Sequence, residues 1–308
     1  MNLLIVNYHY IREEKYEDGI YPRSLIEIQH QMKEISKSYE FISQMELIKY
    51  IDSPELGKNK NLCLITFDDG LKEQLVIKDY LDREGIYPIY YVSTDTLEDK
   101  TLNVHKLHYV RAHVAKEEIA HVLDKKHSFL KHSFDEDTLK IQYRYDNLET
   151  AKLKYFLNFV LDQEQKNDFV GKLFADKVSS EKDFAQSFYF SKEDIKKLGK
   201  TNQIGSHGKS HNPLGIMNNS DLKDEVETSV GILSDICGSR IRSISYPFGG
   251  PTAIPSHEED LKNSDLSFGL TMKRGLNHLV NLSSPYLLNR VDTNDAPGGK
   301  LNSSDFIL

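Results

Sequence analysis

Residues 61–92 read NLCLITFDDGLKEQLVIKDYLDREGIYPIYYV, and the order of patterns in them decides the fold class. Asn61–Phe67 is a short continuous apolar run, the mark of a buried strand, and it ends on Asp68, Asp69 and Gly70. Residues 71–85 have helical spacing and close on Gly85, a residue suited to the left-handed turn after a helix. IYPIYYV (86–92) is again strand-like. A strand, a helix and a strand predict parallel pairing with the helix packed outside.

The same alternation runs outward in both directions. LLIVNY (3–8) predicts a first strand. Residues 24–38 carry Leu25, Ile28, Met32 and Ile35 at helical spacing, with Ser24 as N-cap. Further strands are expected at 201–206, 244–250, 266–272 and 286–292, and a helix over 221–238 ending at Gly238. At 308 residues this pattern fits a (β/α) barrel or a doubly wound sheet. The rhythm stops between Thr96 and Phe190, where residues 104–126 and 148–178 are strongly helical. The expected organisation is a barrel from 1–95 and 190–308, with a helical insertion or lid at 96–189.

Composition narrows the function classes. There are 39 basic and 47 acidic residues, a net charge of −8, which argues against nucleic acid as a partner held by bulk charge. A hydrophobic share of 39% with 28% charged residues excludes both a membrane-embedded chain and extended disorder. Cys63 and Cys237 make no disulfide framework and read as reduced thiols. The opening MNLLIVNYHY has too short an apolar run for a signal peptide, and no stretch suits a transmembrane segment. The expectation is a cytoplasmic protein.

Three loops carry chemistry. Asp68 and Asp69 stand at the C-terminal end of a strand, where parallel α/β folds place their sites. His207-Gly208-Lys209-Ser210-His211 follows another strand, and two histidines four apart can share a metal on one side of a helical turn. Two His and one Asp make a three-ligand set with a position left open for water, and a second Asp beside them can take a proton. Ser245-Tyr246-Pro247-Phe248-Gly249-Gly250 predicts a sharp turn able to aim a backbone N–H at an oxyanion.

LITFDDG, IGSHGKSH and SYPFGG, in this order, resemble the first three motifs of the polysaccharide deacetylases, the NodB-homology family of carbohydrate esterase family 4. The resemblance covers residues 1–95 and 190–295. It implies a distorted (β/α)7 barrel and metal-dependent removal of N-acetyl groups from amino sugars. It makes Asp68 the general base and Asp69, His207 and His211 the ligands of one divalent ion, zinc foremost, with cobalt, manganese or nickel as alternatives. The N–H of Phe248, with Tyr246 beside it, would face the oxyanion. The chain departs from the family at Gly208, where Ser or Thr is usual, and at the position before the third motif, where Arg242 stands four residues before Tyr246. No late Leu-x-His bearing the general acid is read near the C-terminus. Relatives with a similar start carry a histidine on the first strand, which here is His9. Arg290 and Asp292, in LNRVD, are placed to orient Asp68 or His9, and His105 precedes a helix that would overhang the barrel mouth and touch substrate. The other insertion histidines (His108, His113, His121, His127, His132) read as mostly exposed helical residues.

The leading expectation is a deacetylase acting on an N-acyl amino sugar, either free, nucleotide-linked or lipid-linked, in the making of a bacterial surface polysaccharide such as O-antigen or capsule. The alternatives are a catalytically weak carbohydrate-binding barrel and a glycoside hydrolase using Asp68 and Asp69. The last needs carboxyls roughly 5–9.5 Å apart across a bond, which neighbours in one loop do not readily give.

Overall fold

Alternate residues of a strand face opposite ways, and that parity sorts the barrel into its layers. A computed structural model describes residues 1–16, 18–143, 146–255, 261, 264–301 and 304–306. The strands among them are β1 (Asn2–Tyr8), β2 (Glu40–Phe41), β3 (Asn61–Phe67), β4 (Ile89–Val92), β5 (Ile204–Ser206), β6 (Ser243–Ser245), β7 (Phe268–Leu270) and β8 (Val291–Asp292). All pair in parallel in the order β7-β6-β5-β4-β3-β1-β8, with the short β2 beside β3. The two ends of this curled sheet meet through the segment leading into β8. Leu288 N donates to Gly269 O at 3.2 Å and Leu288 O accepts from Thr271 N at 3.0 Å, while Val291 and Asp292 pair with Val6 and Asn7 of β1. The result is the expected distorted (β/α) barrel.

The helices are α1 (Leu25–Ser36), α2 (Gln44–Asp52), α3 (Lys78–Arg83), α4 (Asn103–His113), α5 (Lys116–His127), α6 (Glu136–Gln142), α7 (Leu148–Tyr155), α8 (Gln163–Ala175), α9 (Glu181–Phe188), α10 (Lys192–Gly199) and α11 (Asn219–Cys237). Ser24 caps α1 in a full capping box with Glu27. Gly238, at φ +66°, ends α11. The apolar faces of α1, α10 and α11 (Ile28, Met32, Ile195, Leu198, Leu222, Val226) pack with Leu4, Val6, Cys63, Ile65 and Tyr90 on the outside of the sheet. Leu3, Ile5, Leu62, Leu64, Ile89, Tyr91, Phe268 and Leu270 fill the inside. Continuing the inner parity one step up each strand reaches Asn7, Thr66 and Asp68, so the apolar floor of the barrel gives way to a polar layer at the C-terminal rim.

The chain divides into two compact units, one of Met1–Glu14, Pro22–Lys100 and Lys182–Leu308, the other of Lys15–Tyr21 and Thr101–Glu181. These bounds differ from the expected insertion at 96–189 for identifiable reasons. Phe190 N donates to Gly70 O at 2.8 Å, and Asp95 N to Lys209 O at 2.9 Å, which ties both flanks of the insertion to barrel loops. Lys15–Tyr21 joins the helical unit because Asp18 and Arg111 pair inside it, both buried. Within that unit α4 packs along α8, and Tyr109 meets Phe174 edge-on at 5.5 Å. Outside the helical insertion, β2, α2 and α10 escaped the sequence reading. The helix expected over 71–85 begins instead as a 3-10 turn at Lys72–Ile77.

Candidate metal centre

The polar rim is built around one carboxylate. Asp68 follows β3 on its inner parity, 2% exposed, and Arg290 grips it bidentately, Nη1 to Oδ1 at 2.8 Å and Nη2 to Oδ2 at 2.8 Å. Oδ2 also accepts from Asn7 Nδ2 at 3.1 Å and Ser245 Oγ at 3.2 Å. Arg290 is itself fully enclosed, with Nε on Thr271 O (3.2 Å) and Nη1 also on Asn7 Oδ1 (3.1 Å). Burial alone would raise the Asp68 carboxyl. The Arg290 guanidinium, followed by His207 and His9, outweighs that and holds it below the ordinary carboxylate value.

Asp69 turns away from the strand at φ +79°, a conformation rare outside glycine, and Gly70 continues it at +62°. The turn brings Asp69 Oδ1 to 3.4 Å from His207 Nε2 and 3.3 Å from His211 Nε2. The three ligand atoms lie within 4.8 Å of one another and all three residues are buried. Four ligands held tetrahedrally at about 2.0–2.1 Å from a zinc ion stand about 3.3 Å apart, so both Asp–His distances match the edge of such a site. His207 is oriented from behind, its Nδ1 2.7 Å from Ser245 O, as metal-binding imidazoles commonly are. Burial would lower its pKa; Asp68 and Asp69 raise it in the metal-free chain.

The histidine pair is not on a helix. Residues 207–211 form a loop with positive φ at Gly208 (+73°) and His211 (+62°). Glycine suits the left-handed position at 208, and a Cβ there would stand 3.0 Å from Glu225 Oε1. Phe248 occupies the third position of the Tyr246–Gly249 turn at φ +66°, where such turns ordinarily take Gly or Asn. Its ring, 45% exposed, stands edge-on to His211 with centroids 4.9 Å apart. Three left-handed non-glycine residues in one site, each costing on the order of 1–3 kcal/mol, mark stored backbone strain.

Several sequence expectations change. Tyr246 is a core residue: its N–H goes to Leu270 O (3.1 Å) and its hydroxyl to Tyr286 O (2.8 Å), so it anchors the turn rather than facing an oxyanion. Asp292 is spent on a tight turn, accepting from Asn294 N at 2.8 Å, and among the described contacts it meets neither Asp68 nor His9. His105 is buried in α4 of the helical unit beside His108. His9 follows β1, half-buried, its carbonyl fixed by Gln74 Nε2 at 3.0 Å. A Leu-x-His does occur at Leu276-Asn277-His278, but at the wrong end: Asn277 pairs with Leu3 and His278 Nδ1 lies 3.3 Å from Met1 O, at the start of β1.

The sequence reading missed Asn7, Gln74 and Glu225. Gln74 joins two strand ends by donating to both His9 O and Asp68 O (2.6 Å). The inner parity of LLIVNY was the available signal for Asn7.

The polysaccharide deacetylase family model matches residues 145–271, a span with His207, His211 and the 245–250 turn but not Asp68 or Asp69. No curated protein matches the sequence. Similar solved structures include the Streptococcus pyogenes deacetylase PplD in complex with acetate, at TM-score 0.58 and 13% identity over 95% of this chain and 92% of that one. IcaB from Ammonifex degensii has TM-score 0.55 and 15% identity over 94% and 91%. A de-N-acetylase from Aggregatibacter actinomycetemcomitans has TM-score 0.54 and 11% identity over 94% of each chain. At such identities the likeness is one of fold. The family match falls on the histidine loop and the turn that faces it, so over that span the chain is similar to the polysaccharide deacetylases, and its fold is that of the solved deacetylases.

Proposed function

We propose that the protein is a metal-dependent N-deacetylase of an amino sugar, in which Asp69, His207 and His211 hold one divalent ion. The observation that carries this reading is the pair of 3.3–3.4 Å Asp–His spacings set beside the arginine-held Asp68. Zinc suits two imidazoles and a carboxylate, and cobalt, manganese and nickel are compatible with the same donors. When bound, the ion supplies Lewis acidity to the amide carbonyl and makes water a better nucleophile.

The residues of the chain do the remainder. Asp68 is the base, and its Oδ1 is the accepting atom. Oδ2 already takes three hydrogen bonds, from Arg290, Asn7 and Ser245, whereas Oδ1 takes one, from Arg290, among the described residues. The Phe248 N–H, aimed by its left-handed turn, takes up charge developing on the carbonyl oxygen. His9, near enough for its charge to be felt at Asp68, protonates the leaving amine. A glycoside hydrolase would need one carboxyl held protonated. Arg290 drives Asp68 the opposite way.

The substrate in this reading is an N-acyl amino sugar, nucleotide- or lipid-linked, met in the cytoplasm as a precursor of O-antigen or capsule. Among the described residues no helix is long and apolar enough to cross a membrane. The test is release of free amine from such precursors, with metal content measured alongside. Wild-type protein is expected to hold about one divalent ion per chain and to lose activity on chelation. His211→Ala should fold and lose the ion, and a full metal complement in that variant overturns the ligand assignment.

A further inference from the structure

On a helix, the spacing of His207 and His211 would be set by the helical hydrogen bonds. Here the two stand in a loop, so something else must hold them at one distance from Asp69. The carbonyls of that loop face residues 94–95: Thr94 N donates to Gly208 O at 3.2 Å and Asp95 N to Lys209 O at 2.9 Å. Its N–H groups face α11. Gly208 N donates to Ser206 Oγ at 3.1 Å, and Ser206 Oγ lies 2.7 Å from Ser229 Oγ. Ser210 donates to Glu225 through both its N–H (2.6 Å to Oε1) and its hydroxyl (2.9 Å to Oε1).

Glu225 and Ser229 sit four apart on α11, among Leu222, Val226 and Leu233 of its buried face. Two polar residues on an apolar helix face are costly unless satisfied, and both of these reach the histidine loop. Ser229 Oγ also lies 2.9 Å from Val226 O, to which it donates, so the bond between the serines runs from Ser206 to Ser229. The hydrogen bonds described for Glu225 go to the residue between the histidines, Ser210.

We infer that Glu225, backed by Ser229, is a positioning residue of the metal centre. Its carboxylate ties the loop between the two histidines to α11 through Ser210 and sets their separation before any ion arrives. The same contact accounts for Gly208: a side chain there would crowd Glu225 Oε1. The inference rests on the ligand assignment proposed above and adds that ligand geometry is dictated from α11.

The experiment is zinc affinity by chelator competition, measured on wild type and on Glu225→Gln, which is close to Glu in shape but replaces one acceptor with a donor. Melting of the metal-free proteins and the visible spectrum of their cobalt(II) forms are recorded in parallel. Zinc binding is expected to weaken about 10-fold, within the range known for residues that support metal ligands, with an altered cobalt spectrum and metal-free melting near that of wild type. Ser210→Ala, which keeps the backbone N–H bond to Glu225, should weaken binding less. It serves as the test should Glu225→Gln fail to fold: a Kd within measurement error of wild type then overturns the inference. A wild type that takes up no stoichiometric zinc refutes the ligand assignment, and this inference with it. A wild type that binds zinc, with Glu225→Gln within 2-fold of it, refutes the role of Glu225 alone.

Discussion

Replacing Arg290 with methionine removes the only cation touching Asp68 among the described residues and leaves the carboxylate enclosed. The two groups meet through paired 2.8 Å contacts with side-chain exposures of 0% and 4%, so solvent does little to screen them. Two unit charges about 4 Å apart interact by about 4 kcal/mol at an effective dielectric of 20. Breaking a buried pair from one side typically costs about 3–5 kcal/mol. The sign follows from linkage. In the wild type the folded pKa of Asp68 is depressed, so its contribution to stability is full above the unfolded carboxyl value near about 3.9 and is lost as pH falls through the folded pKa. In Arg290→Met the folded pKa rises above the unfolded value, and the buried charge destabilises increasingly as pH rises. Denaturant melts at pH 5 and 7.5 should therefore show a larger deficit at the higher pH. The acidic limb of kcat/KM should move upward, and Arg290→Lys, with one point charge in place of a fork, should fall between. A deficit under about 1 kcal/mol at both values, with an unmoved acidic limb, would refute the claim that Arg290 keeps Asp68 ionised.

Asp68→Asn should lower kcat by about 10²–10⁴, the range for a general base, while metal content by elemental analysis stays intact; near-normal turnover moves the base elsewhere. Tyr246→Phe removes one hydroxyl bonded to Tyr286 O and should cost about 1 kcal/mol in a denaturant melt with turnover nearly unchanged. A large loss of kcat at preserved stability would return Tyr246 to the site. Phe248→Gly relieves a left-handed residue, so stability should hold or rise by about 1 kcal/mol while activity falls as the turn loosens; a clear drop in Tm would show that the ring, not the backbone, dominates there. His9→Ala should keep metal and lose turnover, less so on an acyl compound whose leaving group needs no proton. An equal loss on both kinds of substrate makes His9 a binding residue.

Much of the barrel is written in local pattern. Asn61–Phe67 needed nothing beyond its own seven residues, and the capping boxes that start α2 and α10 were equally explicit in Ser43 to Glu46 and Ser191 to Asp194. Those two helices were passed over although their signals stood in the sequence. The candidate metal ligands were legible because ligand chemistry restricts the residue types and the motif order follows the strand order. Roles that depend on which way a side chain leaves its strand were less so. Tyr246 and Asp292 look available for chemistry until their hydrogen bonds are known, and Glu225 reads as one more acidic residue on an exposed helix. Leu276–His278 shows the limit most sharply, since three letters carry no information about the end of the barrel on which they fall.

The guanidinium of Arg290 lies on the seam where the sheet meets itself, bonded at once to the end of β7 through Thr271 O, to β1 through Asn7 and to the residue after β3 through Asp68. Ring closure and the pairing of Asp68 with its cation therefore rest on the same side chain. In a nascent chain emerging from the ribosome, Asp68 precedes Arg290 by 222 residues. Until that arginine arrives the barrel is an open sheet with an uncompensated acid at its lip, and chain segments far apart in sequence must be brought together to complete it, the situation in which folding is slow and exposed edges invite misassembly. On the function proposed above, the site is therefore complete only when the segment carrying Arg290 has closed against β1 and β3.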